Sequence, residues 1–163
     1  MNENPTDAKE QYELAKKYGS GNGVPENMEK SMYWLAKAAE QGCADAQNTL
    51  GIHYSEGIGV PKNMEKSAYW FTKAAEQDNA EAQTNIGIFY MNGWGVSINK
   101  EKAVYWWIKA AEKGNDVAQY NLGVSYYQGE GVQRNFEKAL YWLNKSAQLG
   151  NEGAKEALDM LKG

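Results

Sequence analysis

Residues 57–70 read Gly57-Ile58-Gly59-Val60-Pro61-Lys62-Asn63-Met64-Glu65-Lys66-Ser67-Ala68-Tyr69-Trp70, and this stretch recurs along the chain with few changes. Near copies lie 36 residues before it and at two further steps of 36 residues after it. A glycine pair, an asparagine and a tryptophan keep constant spacing in every copy. A fixed period of this size is typical of solenoids, in which each repeat packs against its neighbours.

Four repeats of 36 residues cover 10–45, 46–81, 82–117 and 118–153, and a shorter segment follows at 154–163. Twelve of the 36 positions hold the same residue type in all four repeats, so the repeats must share one local structure. We therefore expect a single domain over residues 1–163, in which the last segment forms a capping helix.

The apolar residues within a repeat follow helical spacing. Ala46, Leu50 and Tyr54 fall on one face of a first helix, and Ala68 and Phe71 begin the equivalent face of a second. The glycine pair allows the positive φ angles of a short turn between the two helices. Each repeat is therefore a helix pair, and the predicted fold class is all-α, an α/α solenoid of four such pairs.

The ends of the second helix also repeat. Asn63 precedes it at a position where its side chain can accept a hydrogen bond from a free backbone N–H group. Gly42, Gly114 and Gly150 follow the helix in three repeats, and Asp78 replaces glycine in the second. Because aspartate tolerates the left-handed conformation, we expect a slightly strained but intact turn at Asp78.

Aromatic residues recur in three sets of four. We assign all three sets to the core, since an aromatic stripe at helical spacing is structural far more often than functional. The sets are Trp34, Trp70, Trp106 and Trp142; Tyr33, Tyr69, Tyr105 and Tyr141; and Tyr18, Tyr54, Tyr90 and Tyr126.

Composition excludes several kinds of partner. A net charge of -4 and a sequence pI near 5.1 argue against nucleic acid or an anionic membrane. No apolar run approaches the roughly 20 residues of a membrane helix, so we expect no membrane insertion. The chain as given starts without a signal peptide, which predicts a cytoplasmic protein, or a periplasmic or secreted one if a signal has been removed. Cys43 is the single cysteine, which excludes an intramolecular disulfide.

No catalytic constellation emerges from the sequence. The Gly57-x-Gly59 pair is too short for a dinucleotide-binding fingerprint, and it recurs in all four repeats as a turn. Ser97-Ile98-Asn99-Lys100 matches a Ser-x-x-Lys motif by chance, because Asn99 is the repeated helix cap. His53 is the only histidine, which excludes a two-histidine metal site, and we expect it to be a partly exposed helix residue. We therefore predict no enzyme activity, no cofactor and no metal.

The repeated residues resemble the Sel-one-like repeat (SLR) family, a relative of the tetratricopeptide repeats. The resemblance covers residues 10–163 and rests on Ala46-Gln47-x-x-Leu50-Gly51-x-x-Tyr54-x-x-Gly57-x-Gly59-Val60, then Asn63-x-Glu65-Lys66, Tyr69-Trp70 and Lys73-Ala74-Ala75-Glu76. It implies a right-handed superhelix of antiparallel helix pairs that serves as an interaction scaffold, commonly in bacteria. By similarity to tetratricopeptide solenoids, the first helices would line a concave groove.

The groove face of each first helix lies opposite its buried stripe. It comprises Asn48, Ile52, Ser55 and Glu56 in the second repeat, Thr84, Ile88, Met91 and Asn92 in the third, and Tyr120, Val124, Tyr127 and Gln128 in the fourth. Tyrosine is a favoured anchor at protein interfaces. An alternative is that Ile52, Ile88 and Val124 pack between neighbouring first helices.

The function predicted from these residues is a non-catalytic protein–protein interaction module. We expect a monomer that binds another protein or a peptide in its groove, as an adaptor or scaffold. An immunity protein that neutralises a bacterial toxin or effector is the alternative, and a hydrolase is a more remote one.

Overall fold

The computed structural model describes residues 5–162, with side chains up to residue 161. Within this range it contains nine α-helices and no β-strand, which confirms the predicted all-α repeat fold. The helices are α1 Ala8–Ser20, α2 Met28–Glu40, α3 Ala44–Glu56, α4 Met64–Glu76, α5 Ala80–Asn92, α6 Lys100–Glu112, α7 Asp116–Gln128, α8 Phe136–Gln148 and α9 Glu152–Lys162.

The chain forms two compact units, Met1–Asn79 and Ala80–Gly163. Unit 1 contains α1 to α4 and unit 2 contains α5 to α9. The first helices of the second, third and fourth repeats begin at Ala44, Ala80 and Asp116, two residues before the predicted repeat boundaries. The assignment of residues 1–163 to a single domain remains a prediction.

The predicted caps and turns are confirmed. Asn63 Oδ1 accepts from the backbone N–H of Lys66 at 2.8 Å, and Asn27, Asn99 and Asn135 make the same bond in the other repeats. Gly57 and Gly59 have φ angles of 81° and 68°, as the turn between the helices requires. Asp78 has a φ of 65° and is the one non-glycine residue with positive φ in the described part of the chain.

The core of each unit combines small residues with larger side chains from both helices of a repeat, such as Leu50 and Ile86 of the first helices. The alanine pairs of the second helices are buried, for example Ala74 and Ala75 at 0% and 1% exposure. The larger side chains of the second helices include Leu35, Phe71, Trp107 and Leu143, all 4% exposed or less. They occupy one repeat position, which we call the floor position; Phe71, Trp107 and Leu143 lie there against a glycine of the first helix in the same repeat.

The aromatic prediction was wrong for one set and only partly right for another. Tyr33, Tyr69, Tyr105 and Tyr141 are exposed, and of the four tryptophans at the next position only Trp34 is buried. Neighbouring residues on a helix point about 100° apart, so a buried floor side chain places the tyrosine two residues earlier on the outer face and the intervening tryptophan at the edge of the core. The tyrosine instead meets the tryptophan edge-on, with ring centroids 5.0 Å apart in all four repeats.

Candidate partner-binding site

The predicted groove residues of unit 1 lie on α3 and differ widely in accessibility. Asn48 is buried, with 4% exposure, and so presents little surface to a partner. Ile52 and Ser55 are half-buried, and Glu56 is exposed. Ser55 Oγ donates to the Ile52 carbonyl at 2.8 Å, which keeps that hydroxyl against its own helix.

On α5 the predicted residues are largely engaged in packing. Thr84 is 4% exposed and its Oγ1 donates to the Ala80 carbonyl at 2.9 Å. Ile88 and Met91 pack against the buried cluster of unit 2, which is formed by residues of α6 and α7. The exposed Asn92 donates through Nδ2 to the Ile88 carbonyl at 2.8 Å.

On α7 the predicted residues meet in one cleft. This cleft, which we call the α9 recess, has a volume of about 280 Å³. It is lined by Tyr120, Val124, Tyr127 and Gln128 of α7, Leu143 of α8, and Ala157, Met160 and Leu161 of α9. All four α7 residues predicted for the groove therefore share one surface, and Leu143 occupies its floor position.

The edge of the α9 recess carries exposed apolar and cationic groups. Tyr127 is 37% exposed, and its ring contacts Phe136 at a centroid distance of 6.3 Å. The Arg134 guanidinium lies 5.5 Å from the centre of the Tyr127 ring. Met160 is 77% exposed, the largest exposure among the exposed large apolar side chains of the described residues. Our sequence reasoning missed Met160, although it stands 36 residues after Val124 and so continues the same face.

Unit 1 contains the corresponding cleft at the first repeat. This α1 cleft has a volume of about 530 Å³ and lies between α1, α2 and α3, with Leu35 at its floor position. Tyr12 occupies the repeat position of Tyr120, and Thr49 that of Ala157. The Tyr12 hydroxyl and Thr49 Oγ1 are 2.9 Å apart and share a hydrogen bond across the α1 cleft. In the α1 cleft this hydrogen bond therefore joins α1 to α3.

His53 contributes a titratable ring to the α1 cleft. Its Nδ1 donates to the Ile58 carbonyl at 3.0 Å and lies 3.1 Å from Met32 Sδ. Burial lowers the pKa of His53 below its usual 6.5, and this outweighs the Ile58 hydrogen bond and the charge of Glu56, which act in the opposite direction. As predicted, His53 is a half-buried helix residue.

The described residues hold no group of three or more histidine, cysteine, aspartate or glutamate side chains that could bind a metal ion. Among the same residues, every helix falls short of the length and hydrophobicity of a membrane span. The chemistry available in the α9 recess is thus apolar contact and hydrogen bonding by Tyr120, Tyr127 and Gln128. Arg134 lies over the Tyr127 ring at the edge of the recess and itself lines a separate cleft with Lys138.

Helix pairs repeated at 36 residues define the class of helical repeat proteins. The model of the Sel1 repeat matches residues 11–43, 44–79, 80–115 and 116–151. The chain belongs to the Sel1 repeat family, whose members generally mediate protein–protein interaction. No functionally curated protein matches the sequence.

Several solved structures are similar to the chain. A protective antigen present in uropathogenic Escherichia coli strains, with an SLR fold, is 38% identical over 93% of this chain and 32% of its own, with a TM-score of 0.89. A Sel1 repeat protein from Oxalobacter formigenes is 36% identical over 94% of this chain and 44% of its own, with a TM-score of 0.86. Helicobacter pylori cysteine rich protein B is 26% identical over 84% of this chain and 98% of its own, with a TM-score of 0.63. The chain thus spans less than half the length of the first two proteins.

Proposed function

We propose that the chain is a non-catalytic binding module, an adaptor or scaffold that holds a partner protein on the groove face of its first helices. The observation that carries this proposal is the α9 recess, where Tyr120, Val124, Tyr127 and Gln128 line one open apolar cleft. A partner that covers the recess would bury apolar surface that is now in contact with water.

The composition of the recess favours recognition of a polypeptide. Tyrosine buries a large area at low entropic cost and is enriched among the residues that dominate binding energy. At about 280 Å³ the recess is at or below the lower end of small-molecule sites, which span roughly 300–1,000 Å³. Its size suits one or two side chains of a partner.

Affinity capture from the source cell tests the proposal. The parent chain and the Tyr120→Ala/Tyr127→Ala variant are immobilised in parallel, and the retained proteins are identified by mass spectrometry. We expect a protein that the parent retains and the double variant loses, while both chains keep the same helicity and melting temperature. Equal recovery of every retained protein by the two chains would overturn the assignment of the groove face.

The captured protein also distinguishes the two binding roles. An adaptor should retain components of a larger assembly, whereas an immunity protein should retain a toxin or effector and suppress its activity when the two are mixed. No contact in the described residues favours the immunity role, so we keep the adaptor as the proposed function.

A further inference from the structure

Unit 2 contains two neighbouring repeats that differ in one large side chain at the floor position. In the third repeat this residue is Trp107, and in the fourth it is Leu143. Trp107 is 4% exposed, and its Nε1 donates to the Thr84 carbonyl at 3.1 Å. Thr84 lies on α5 and is itself buried, so the indole reaches from the second helix to the backbone of the first.

The first helix makes room for this indole at Gly87, since a Cβ atom there would collide with the Trp107 ring. The fourth repeat keeps the same clearance at Gly123, which faces Leu143. Leucine is smaller than tryptophan, and the α9 recess opens above it, beside Tyr120 and Val124. In the third repeat, the Trp107 indole thus occupies the space that is open above Leu143 in the fourth repeat.

The groups around the α9 recess are suited to such a ring. Val124, Ala157, Met160 and Leu161 provide apolar contact, and Tyr127 offers an aromatic edge. The carbonyl of Tyr120 corresponds to the Thr84 carbonyl that accepts the indole N–H of Trp107. Among the described residues the Tyr120 hydroxyl has no hydrogen-bond partner, whereas the corresponding Tyr12 hydroxyl bonds to Thr49.

Arg134 adds a charge preference. Its guanidinium lies over the Tyr127 ring, 5.5 Å from the centroid, and no carboxylate within the described residues pairs with it. Guanidinium groups bind carboxylates through paired hydrogen bonds. A carboxylate next to an inserted ring would therefore complement this edge of the recess.

We propose that the α9 recess receives an aromatic side chain of a partner polypeptide, with tryptophan favoured, and that Arg134 pairs with an acidic residue beside that ring. The inference rests on the proposed binding function of the same face and specifies the chemistry of its partner. The inserted ring takes the place above Leu143 that the chain's own indole takes in the third repeat.

A blocked hexapeptide of sequence Gly-Gly-Trp-Glu-Gly-Gly is the probe, titrated into the isotopically labelled chain and followed by NMR. We expect saturable shifts of the backbone amides of Tyr120, Val124 and Ala157. Replacing the tryptophan of the peptide by alanine should weaken binding by about tenfold or more, and replacing it by leucine should weaken binding less. A peptide with lysine in place of glutamate should bind more weakly than the probe.

Two variants of the chain locate the site. Leu143→Trp supplies an indole from within, as Trp107 does, and should weaken probe binding by about tenfold or more. Tyr141→Trp adds the same ring at an exposed position of the same helix and should leave binding unchanged. Should Leu143→Trp lower the melting temperature, Val124→Trp blocks the mouth of the recess without altering the floor. Arg134→Gln should keep the tryptophan preference and remove the preference for glutamate over lysine.

Absence of saturable shifts at probe concentrations up to about 10 mM, or equal affinity of the parent and Leu143→Trp chains for the probe, would overturn the inference. The proposed function is judged separately with the captured partner. If that partner binds Leu143→Trp as tightly as the parent but loses affinity for Tyr120→Ala/Tyr127→Ala, the groove face binds and the recess does not receive a ring. If neither variant changes its affinity, both proposals fail.

Discussion

The ring of Phe71 lies directly on the backbone of Gly51, so that a Cβ atom added to Gly51 would be 2.6 Å from Phe71 Cδ1. One turn earlier on α4, Ser67 Oγ donates to the Gly51 carbonyl at 2.7 Å. These two contacts fix α4 against α3. In the first repeat the corresponding pair is Ala15 and Leu35, which combines a larger first-helix residue with a smaller floor residue.

The first prediction concerns this pair. Gly51→Ala should lower the free energy of unfolding by about 1–3 kcal/mol, because overpacking a close contact forces strain on the buried Phe71 ring. Combining it with Phe71→Leu reproduces the first-repeat pair and should cost less than the sum of the two single changes. Urea denaturation of the four chains gives the coupling energy. If the cost of the double change equals the sum of the two single costs, residues 51 and 71 do not compete for the same space.

The second prediction compares neighbouring aromatic residues on α4. Phe71→Ala should cost about 3–5 kcal/mol, because Phe71 is 2% exposed and its removal leaves a cavity. The sequence pattern assigns Trp70 to the core as well, but Trp70 is half-buried and its truncation should cost less. Trp94→Ala is the control: this ring is 46% exposed and contacts Phe89 edge-on at 5.7 Å. A larger loss at Trp70 than at Phe71 would refute the observed orientation of α4.

The third prediction concerns pH and His53, whose pKa burial lowers from 6.5 in the folded chain. As pH falls through about 6.5, His53 takes up a proton more readily in the unfolded chain than in the folded chain. The free energy of unfolding therefore decreases. His53→Phe places at this position the residue type found at Phe89 and should remove this component. We compare the free energies of unfolding of the parent and the variant at about pH 7.5 and 5.5. The difference between them should change, because the parent loses more stability than the variant at the lower pH. An unchanged difference would contradict the lowered pKa.

Most of the fold follows from the sequence alone. The glycine turns, the Asn63 cap and the left-handed Asp78 are each set by residues a few positions apart, and such local chemistry is visible in a repeat. The period of 36 residues then fixes the helix pairs.

The orientation of the second helix is a different matter. Trp70 and Phe71 are both large and apolar, and helical spacing alone permits either one to face inward. Identical recurrence of the Tyr-Trp pair suggested burial. The large side chains at the buried floor position instead vary between leucine, phenylalanine and tryptophan, and the phenylalanine and the tryptophan each meet a glycine on the first helix, Phe71 at Gly51 and Trp107 at Gly87.

The groove face was predicted by spacing, but its accessibility was not. Thr84 and Asn48 are buried, while Tyr127 and Gln128 are exposed, although the predicted face includes them all. The difference follows position along the first helix: Tyr120, at the repeat position of Asn48 and Thr84, is half-buried, whereas Gln128 is exposed like Glu56 and Asn92 at its own position. The α9 recess therefore becomes evident only once Leu143 is seen beneath Tyr120 and Val124.

Binding affinity of the groove-face variants tests the central claim most directly. With the captured partner, calorimetry should give a dissociation constant at least about tenfold higher for Tyr120→Ala/Tyr127→Ala than for the parent, a change of about 1.4 kcal/mol. Tyr105→Ala/Tyr141→Ala removes two exposed tyrosines from the second helices of the same unit and should bind as the parent does. Equal affinity for the parent and the groove variant, or a loss confined to Tyr105→Ala/Tyr141→Ala, would contradict binding on the first helices.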